Sequence, residues 1–424
     1  MKILISTLGS RGDTQPYLAL ALGLGQAGHR VTLGAPRSFI EWIQSYGVNA
    51  HPVRFNPQEV MQTISKSKNP FQAIRIMREV VNTGVAEAQD DCWQAAQDTD
   101  FLLQTGTGMN ALEIASKRGI PGAFAYLVPM PPTRAFPMFW LPFRFSLGGG
   151  YNYLTHTLIQ RVLWSGMGGP TTNRWRTRLG LPRWRSEAEM HNYARSLGTP
   201  SLYGYSPSVI PKPPDWDEYH HVTGYWFLEA QPDWQPPADL LHFLESGSPP
   251  VYVGFGSVSH EHPERQTRLI LRALELTGQR GVLLTGWGGL TRLSAPPNVF
   301  FADNVPHAWL FPRMAAVVHH GGAGTTSAGL RAGVPGIITP GGGDRVAWAD
   351  LVVKLGVGPR APGIKQLTAK KLAKAINTAV NDSALRARAA ALGEIIRAED
   401  GVARAVEIIE RHAAEFMQRA RGPS

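Results

Sequence analysis

The chain has 424 residues, of which 43% are hydrophobic and 17% are charged. This composition is typical of a folded protein, and the length predicts two domains rather than one. A single cysteine, Cys92, excludes internal disulfides and fits a reducing cytoplasm. No apolar run approaches the ~20 residues that cross a bilayer. Gly9 breaks the apolar start of the chain, so we interpret that start as a first strand and not as a signal peptide.

The formal net charge of +10 fits nucleic acid, an anionic membrane or anionic substrates as partners. The basic residues are scattered, with local density at Lys66, Lys68, Arg75 and Arg78 and again between residues 174 and 185. No zinc-finger spacing, homeodomain-like helix or aromatic-basic RNA platform accompanies them. We therefore expect no nucleic-acid partner, and we favour peripheral contact of a cytoplasmic protein with an anionic membrane over a plain solvated surface.

The first half of the chain alternates predicted strands and helices. Apolar runs of strand length occur at residues 2–8, 30–35, 49–53, 101–104 and 122–127. Helical patterns lie between them at residues 16–27, 37–46, 71–97 and 109–118. This alternation predicts a parallel sheet with helices on both faces, and ligands of such sheets bind at the carboxyl ends of the strands.

The turn after the first strand has the sequence GSRGDTQP at residues 9–16. Pro16 fits the first position of a helix, where its missing N–H breaks no helical hydrogen bond. Asp13 and Thr14 are residue types that cap helix N-termini. Alternatively, Asp13 lies in a cleft between domains and takes a proton from an acceptor hydroxyl as a general base.

Residues 129–164 interrupt the alternation with prolines and aromatic side chains. The segment is too aromatic for an ordinary exposed loop and too rich in proline for a regular helix. The segment could form a local hydrophobic cluster. Alternatively, it forms the wall of a large apolar pocket or an edge that contacts lipid. A second proline-rich stretch, residues 207–237, predicts a stiff linker between two domains.

A second set of alternating elements follows this linker. The predicted strands are residues 250–255, 281–285, 299–301, 315–318 and 336–339. The predicted helices are residues 264–277, 308–311, 328–332, 346–355, 368–380 and 383–399, with an amphipathic helix at 402–419. The two halves therefore repeat one architecture without repeating one sequence.

The sequence HHGGAGTT at residues 319–326 joins a strand to a helix. Small residues let a ligand approach the backbone, and the free N–H groups and dipole of the helix favour phosphate oxygens. A histidine and two threonines, Thr325 and Thr326, add further donors. We interpret the turn as a diphosphate cradle. The alternatives are close packing alone and a dinucleotide-binding turn. Asp344 lies ~20 residues past the glycines, which is the spacing of a ribose-binding acid, but such an acid should end the second strand. Asp344 instead follows a glycine loop, residues 341–343, so it should begin a helix, where it could bind sugar hydroxyls.

Other strand ends carry residues suited to a nucleotide. Ser257 could donate to a phosphate or be a simple turn serine, and Trp287 could flank a nucleobase or pack in the core. Backbone atoms near Val305 could contact a base edge. His260 and His262 have no carboxylate or cysteine partners nearby in the sequence, so we predict no metal site.

Together these motifs resemble a GT-B glycosyltransferase of the UDP-glycosyltransferase superfamily. They are most similar to the branch that contains the sterol 3-beta-glucosyltransferases and the glycopeptide-antibiotic glycosyltransferases. The resemblance covers nearly the whole chain and rests on residues 9–16, 222–226, 254–257, 305–313, 319–326 and Asp344. It implies an α/β fold of two Rossmann-like domains, residues 1–206 and 221–399, whose parallel sheets face each other across a cleft. It also implies that a C-terminal helix of residues 400–424 packs back on the first domain.

The resemblance implies roles for individual residues. Asp13 would be the catalytic base, Ser10 and Arg11 would lie beside the donor diphosphate or shape the loop that carries the base, and Asp344 would bind sugar hydroxyls. His320 and residues 322–325 would hold the diphosphate, and residues 304 and 305 would border the uracil. The expected donor-binding residues are Ser10, Arg11, Gly12, Ser257, Trp287, Asn304, Val305, His320, Gly322, Ala323, Gly324, Thr325, Asp344 and Arg345.

The implied reaction is inverting: an acceptor oxygen attacks the anomeric carbon of a UDP-sugar, most simply UDP-glucose, while UDP leaves. The acceptor would be a hydrophobic alcohol such as a sterol, another isoprenoid or an aromatic aglycone. Neither metal nor cofactor is expected if the helix dipole and His320 offset the leaving-group charge. Arg345 stands where this branch usually has glutamine, which favours an acidic or otherwise altered sugar. A nucleotide-sugar epimerase of the same architecture and a non-catalytic lipid-binding protein remain as alternatives.

Overall fold

The computed structural model describes residues 1–55, 84–106, 111–141, 145–231, 233–256, 263–285 and 290–421. The chain divides into two compact units. Unit 1 consists of Met1–Met138, Ser146–Leu228 and Asp400–Ser424, and unit 2 consists of Phe139–Phe145 and Glu229–Glu399. Residues singled out in the sequence that lie outside the described ones are Lys66, Lys68, Arg75, Arg78, Ser257, His260, His262 and Trp287.

Unit 1 is built on a sheet of seven parallel strands. Its strands are β1 (Lys2–Ser6), β2 (Arg30–Pro36), β3 (Asn49–Val53), β4 (Phe101–Thr105), β5 (Gly122–Tyr126), β6 (Ser201–Tyr203) and β7 (His220–Val222). They are ordered β3-β2-β1-β4-β5-β6-β7. The central strands read KILIS, FLLQT and GAFAY, because a parallel strand with helices on both faces is buried on both sides.

The helices of unit 1 that precede unit 2 in the sequence are α1 (Arg11–Gln26), α2 (Ile40–Gln44), α3 (Ala111–Arg118), α4 (Gly149–Leu163), α5 (Gly169–Arg178) and α6 (Glu187–Ser196). Residues 84–95 are also helical, within the predicted helix 71–97, whose start lies outside the described residues. A π-helical turn, Trp164–Gly168, joins α4 to α5, so the helical path is continuous from one to the other.

Unit 2 has a parallel sheet of five strands, ordered β10-β9-β8-β11-β12. Its strands are β8 (Val251–Gly254), β9 (Gly281–Leu284), β10 (Val299–Ala302), β11 (Ala316–His319) and β12 (Gly336–Ile338). Its helices are α7 (Ala238–Glu245), α8 (Pro263–Thr277), α9 (His307–Leu310), α10 (Ala323–Ala332), α11 (Asp344–Lys354), α12 (Ala369–Asn381) and α13 (Ser383–Ala398). Phe139 also belongs to this unit, since its ring packs edge-on against Trp348 of α11 with centroids 5.3 Å apart.

The last helix, α14 (Gly401–Arg421), belongs to unit 1 although it follows unit 2 in the sequence. A Cβ on Gly23 of α1 would lie 2.2 Å from Val402 Cγ1, so glycine at this position allows α1 and α14 to approach closely. Trp226 Nε1 donates to Thr223 Oγ1 at 3.0 Å and to the carbonyl of Gly401 at 3.2 Å. The residues of α14 in the core of unit 1 are Ala405, Val406, Ile409 and Ala413.

The structure differs from the sequence prediction in the second part of unit 1. Strand β7 lies inside the predicted linker 207–237, and the boundary between the units follows Leu228. Strands β6 and β7 have three residues each, too few to show a hydrophobic period. Helix α4 lies in the segment predicted to be too rich in proline for a helix. The last proline of that segment is Pro142, and the helix begins after it, at Gly149.

No helix among the described residues is both long enough and apolar enough to span a bilayer.

Two glycines allow α10 and α13 to pack closely, and they provide a test of the fold of unit 2. A Cβ on Gly393 would lie 2.6 Å from Gly333 Cα. We expect Gly393→Ala to lower the free energy of unfolding by roughly 1–3 kcal/mol, measured by urea denaturation, because the helices must move apart. Gly329→Ala on α10 is the matched control, since its Cβ would meet no atom within 4 Å. Equal destabilisation of both variants would contradict the close approach.

His412 on α14 should make stability depend on pH. It is buried with its ring 6.1 Å from that of Phe101, and burial lowers its pKa from 6.5 to about 4. Between pH 6.5 and 4 the unfolded chain therefore binds more protons than the folded chain does. Stability that is present at pH 7.5 is lost as the pH falls through 6.5 toward 4. We expect this histidine to account for about 2 kcal/mol of the loss between pH 7.5 and 5.

Denaturation of His412→Gln at both pH values would measure this contribution, because glutamine keeps a side-chain donor but does not titrate. The variant should show a shallower pH dependence than the unmodified protein. The control is His242→Gln, at an exposed position of α7, which should leave the dependence unchanged. The same pH dependence in His412→Gln as in the unmodified protein would contradict the assignment.

Candidate active site

The glycine-rich turn follows β11 at the carboxyl edge of the unit 2 sheet. His319 ends this strand and pairs with Gly254 on one side and Ile338 on the other, so three strand ends lie in register. Helix α10 begins at Ala323 with Gly322 as its N-cap, five residues earlier than predicted. Residues 323–325 therefore form the first helical turn, whose N–H groups have no intrahelical acceptor. This is the geometry that binds anions at helix N-termini.

The backbone of this turn is held at Gly321. Its φ of +93° is in the region that favours glycine. A Cβ here would lie 2.7 Å from Ile338 Cγ2 and 3.1 Å from the carbonyl oxygen of Arg345. The turn is therefore packed between the end of β12 and the start of α11, and no side chain fits between them.

His319 holds the backbone of the turn through a hydrogen bond. It was not among the predicted site residues. Its Nδ1 accepts the N–H of Gly321 at 3.1 Å, so the ring proton is on Nε2. Burial, together with the neighbouring His320 and His307, keeps the pKa of His319 well below its usual value, and the ring is neutral. Histidine at the last position of a buried strand was the sequence signal for this structural role.

The ring of His320 lies between two glycines beside the first turn of α10. A Cβ on Gly256, where φ is +60°, would lie 3.1 Å from His320 Cε1. A Cβ on Gly322 would lie 2.8 Å from its Nε2. Thr326 was expected to add a donor, but it is buried and its Oγ1 donates to the Gly322 carbonyl at 2.8 Å. Of the predicted diphosphate contacts, the ring of His320 and the backbone of the first turn therefore lie together at the start of α10.

Asp344 is the first residue of α11, as its position after the glycine loop predicted. The loop reverses the chain through Gly342 and Gly343, which have φ values of +124° and +64°. A carboxylate in the first turn of a helix is stabilised by the helix dipole. Asp344 is half-buried, so part of the side chain remains accessible.

Arg345 lies directly beside the glycine-rich turn. Its Cβ is 3.2 Å from the position that a Cβ on Gly321 would take, and its Nη1 is 3.5 Å from the corresponding position on Gly341. The side chain therefore extends from the turn toward the glycine loop. Unit 2 thus places a cation, a carboxylate and a helix N-terminus side by side.

The turn after β10 has an unusual backbone. Asn304 has a φ of +46° and is the only non-glycine residue with positive φ among those described. The side chain of Val305 is buried in the core, which leaves its backbone as the part that can meet a ligand. Hydrogen bonds from Thr285 and Arg292 hold the carboxylate of Asp303 and lower its pKa.

In unit 1, the first turn of α1 carries Asp13. The helix begins at Arg11, and Pro16 lies in its second turn rather than at its first position, because Ser10 is the N-cap. Asp13 Oδ2 accepts the N–H of Ser10 at 2.8 Å and its hydroxyl at 2.9 Å. Asp13 therefore supports the helix start, and both described hydrogen bonds to its carboxylate fall on one oxygen.

Glycine beneath Asp13 makes this arrangement possible. A Cβ on Gly9 would lie 2.2 Å from Asp13 Cβ and 2.5 Å from its Oδ2. The guanidinium of Arg11 lies 4.8 Å from the centre of the Trp42 ring, and Gly12 is exposed. The result is a half-buried carboxylate, oriented by two donors, that has the chemistry of a general base.

The structure thus collects the predicted residues into two groups, one in each unit. His320, Gly322, residues 323–325, Asp344 and Arg345 lie around one turn of unit 2, and residues 10–13 lie around the first turn of α1. The expected roles of both groups stay predictions. Among the described residues, no cluster of three or more histidine, cysteine or acidic side chains is arranged to hold a metal ion.

Known domain families match both units. Residues 3–137 match the glycosyltransferase family 28 N-terminal domain. Residues 289–411 match the erythromycin biosynthesis protein CIII-like C-terminal domain. The first match includes Asp13 and the second includes the glycine-rich turn.

Curated relatives are similar over nearly the whole chain. A sterol 3-beta-glucosyltransferase of Cryptococcus neoformans var. neoformans serotype D is 36% identical over 445 residues, which cover 97% of this chain and 27% of that protein. A sterol 3-beta-glucosyltransferase of Emericella nidulans is 35% identical over 425 residues, which cover 97% of this chain and 30% of that protein. The chain therefore spans less than a third of the length of these relatives.

Solved glycosyltransferases share the fold. The glycosyltransferase of kitacinnamycin matches with a TM-score of 0.72 and 22% identity, over 97% of this chain and 98% of that one. A Streptomyces sp. SF2575 glycosyltransferase complexed with thymidine diphosphate matches with a TM-score of 0.64 and 19% identity, over 97% and 99%. These findings confirm the predicted α/β fold and the predicted family, and the chain belongs to the UDP-glycosyltransferase superfamily of GT-B fold, close to its sterol 3-beta-glucosyltransferases.

Proposed function

We propose that this chain transfers a hexose from a UDP-sugar to a hydroxyl of a hydrophobic acceptor. The observation that carries the proposal is the glycine-rich turn, where the first turn of α10 and His320 offer donors beside Asp344. These groups suit a diphosphate and sugar hydroxyls, respectively. The names of the curated relatives support glucose as the sugar and a sterol or another isoprenoid alcohol as the acceptor. The thymidine diphosphate complex supports a nucleoside diphosphate as the donor's carrier.

In this mechanism Asp13 removes the proton of the acceptor hydroxyl. The freed oxygen forms a bond to the anomeric carbon, and the bond from that carbon to the diphosphate oxygen breaks, so the configuration inverts. The hydrogen bonds from Ser10 orient the carboxylate of Asp13. The N-terminal N–H groups of α10 and the ring of His320 stabilise the negative charge that develops on UDP. The mechanism requires neither a metal nor a cofactor.

UDP release, measured with and without a panel of sterols, other isoprenoid alcohols and aromatic aglycones, tests the proposal as a whole. We expect release to depend on an acceptor, together with formation of a glycosylated product. An altered sugar nucleotide formed without an acceptor would indicate an epimerase instead. Acceptor binding with no turnover of any UDP-sugar would indicate a lipid-binding protein.

Replacing Asp13 should separate catalysis from donor binding. We expect Asp13→Asn to lower kcat by ~100-fold or more, the usual scale for loss of a general base, while UDP affinity measured by calorimetry changes little. His320→Ala should instead weaken UDP binding.

Asp239→Asn is the matched control for the aspartate variant, because Asp239 also lies in the first turn of a helix, α7. It should keep full turnover. Because Asp13 also supports the start of α1, the thermal stability of Asp13→Asn must be measured in parallel. Full turnover by a folded Asp13→Asn protein would overturn the assignment of the base.

Arg345 should influence which UDP-sugar the enzyme prefers. We expect its guanidinium to favour a sugar carboxylate, because the pair is charged and can be bidentate. Arg345→Gln should then lower the ratio of kcat/KM for UDP-glucuronate to that for UDP-glucose by about tenfold. Arg360→Gln, whose arginine pairs with Asp350, is the control. Exclusive use of UDP-glucose by the unmodified enzyme would rule out this role.

A further inference from the structure

Helix α4 presents its polar side to the protein. Asn152 Nδ2 donates to the Arg134 carbonyl at 2.9 Å, and His156 Nε2 donates to the Phe136 carbonyl at 3.1 Å. Gln160 Nε2 donates to the carbonyl of Met130 at 2.9 Å. Positions 152, 156 and 160 are four residues apart and therefore share one side of the helix. Both Asn152 and His156 are buried. This polar side therefore binds the backbone of the preceding aromatic segment.

Apolar residues lie on another side of α4 and are exposed. Leu154, Leu158 and Val162 have exposed fractions of 53%, 53% and 69%. They also recur every four residues, and we call them the exposed stripe. At about 100° per residue, the stripe is rotated well away from Asn152 and His156. A surface helix of a globular protein usually has its apolar residues inside and its polar residues outside, and α4 has the reverse arrangement.

The positive charge of the chain is concentrated in the same stretch of the sequence, where two of the arginines, Arg176 and Arg178, pair with Glu113 and Asp90. Residues 114–186 contain ten lysines and arginines and no aspartate or glutamate, whereas the rest of the chain has 32 residues of each sign. The whole net charge of +10 therefore comes from the segment that includes α4. Arg161 is exposed on α4 itself, and the guanidinium of Arg134 lies 5.6 Å from the centre of the Tyr153 ring on the same helix.

We infer that α4 binds the surface of an anionic bilayer. The exposed stripe then lies among the acyl chains, and Arg134 and Arg161 lie at the headgroups. A helix with an apolar stripe and flanking cations lies in the membrane interface in this way. The exposed stripe occupies one side of α4 only, which suits a helix that lies along the membrane surface rather than one that spans the bilayer. A hydrophobic acceptor packed on the stripe would account for the apolar residues but not for the localised charge. The inference extends the proposed function, because hydrophobic acceptors accumulate in membranes.

Flotation of the full chain with lipid vesicles tests the inference directly and needs neither donor nor turnover. We expect binding to phosphatidylcholine vesicles that contain about 30% phosphatidylserine, weaker binding to pure phosphatidylcholine, and a loss of the difference at high salt. The triple variant Leu154→Ser, Leu158→Ser and Val162→Ser should lower the partition coefficient at least about tenfold, because three apolar side chains no longer enter the bilayer. Arg161→Gln should weaken binding to anionic vesicles more than to neutral ones.

The matched control is the double variant Leu276→Ser and Ile395→Ser. These residues are aliphatic, lie on helices α8 and α13 and have exposed fractions of 42% and 51%. The control should bind vesicles as the unmodified protein does, and thermal melts should show that both variants are folded.

Three outcomes would overturn the inference: no vesicle binding by the unmodified protein, equal binding by the triple variant, or equal loss of binding in the control. A raised KM for a water-soluble acceptor with unchanged vesicle binding would place the stripe in an acceptor site instead. A dimer that the triple variant dissociates, again with unchanged vesicle binding, would assign the stripe to a second copy of the chain. Asp13→Asn should bind vesicles fully, so failure of the proposed catalysis and failure of membrane binding are distinguishable.

Discussion

The arrangement of unit 2 depends on the absence of a side chain at Gly321. At this residue the backbone leaves β11, turns with a positive φ, and passes within van der Waals contact of Ile338 and Arg345. Any Cβ would push β12 and the start of α11 away from the turn. Because the turn stays close to both, the first turn of α10 and the first residue of α11 become neighbours. The proposed diphosphate and sugar contacts are both consequences of this one steric condition.

Unit 1 meets a similar condition with different residues. Gly9 follows β1, and the carboxylate of Asp13 lies over it at a distance that no larger residue would permit. In each unit, a glycine follows the end of a strand. Because this glycine has no Cβ, the first turn of the next helix can pack close to the strand end. In unit 2 the result is a set of backbone N–H groups with a neutral buried histidine behind it, whereas in unit 1 it is a carboxylate. The proposed donor binding and the proposed proton removal therefore fall to residues of separate units.

Strands were the most predictable part of the fold. Every predicted strand is present with its ends within two residues of the expected bounds, because apolar runs such as KILIS are typical of strands that helices cover on both faces of a parallel sheet. Helix starts were less predictable. Helix α10 begins in the sequence AGTT, whose glycine and threonines have low helix propensity, and the contacts of the turn override that propensity. Helix α1 likewise begins before Pro16, because Ser10 and Asp13 together stabilise an earlier start.

The positions of the candidate site residues in the fold were predictable where a motif adjoined a strand end, and Asp344 at the start of α11 is the clearest case. His319 was missed because a histidine at the end of a buried strand indicates a structural role without showing which group it binds, and here it accepts one backbone N–H. Helix α4 was missed for a different reason. A periodic pattern locates a helix by its buried apolar side, and in α4 the buried side is polar and binds the backbone of its own neighbouring segment. The apolar residues that recur every four positions, Leu154, Leu158 and Val162, mark its exposed side, and the prolines that precede them in the sequence argued against a helix.

The return of α14 to unit 1 has a consequence for engineering. Because unit 1 includes segments of the chain both before and after unit 2, most of unit 2 forms a cassette inserted between Leu228 and Asp400. A chimera that exchanges unit 2 between relatives therefore needs two junctions rather than one, and α14 must come from the recipient, because it packs on the recipient's α1. The short excursion Phe139–Phe145 should travel with the cassette, since Phe139 packs on Trp348 within it. A single crossover in the middle of the chain would instead pack the α14 of one protein against the unit 1 core of the other.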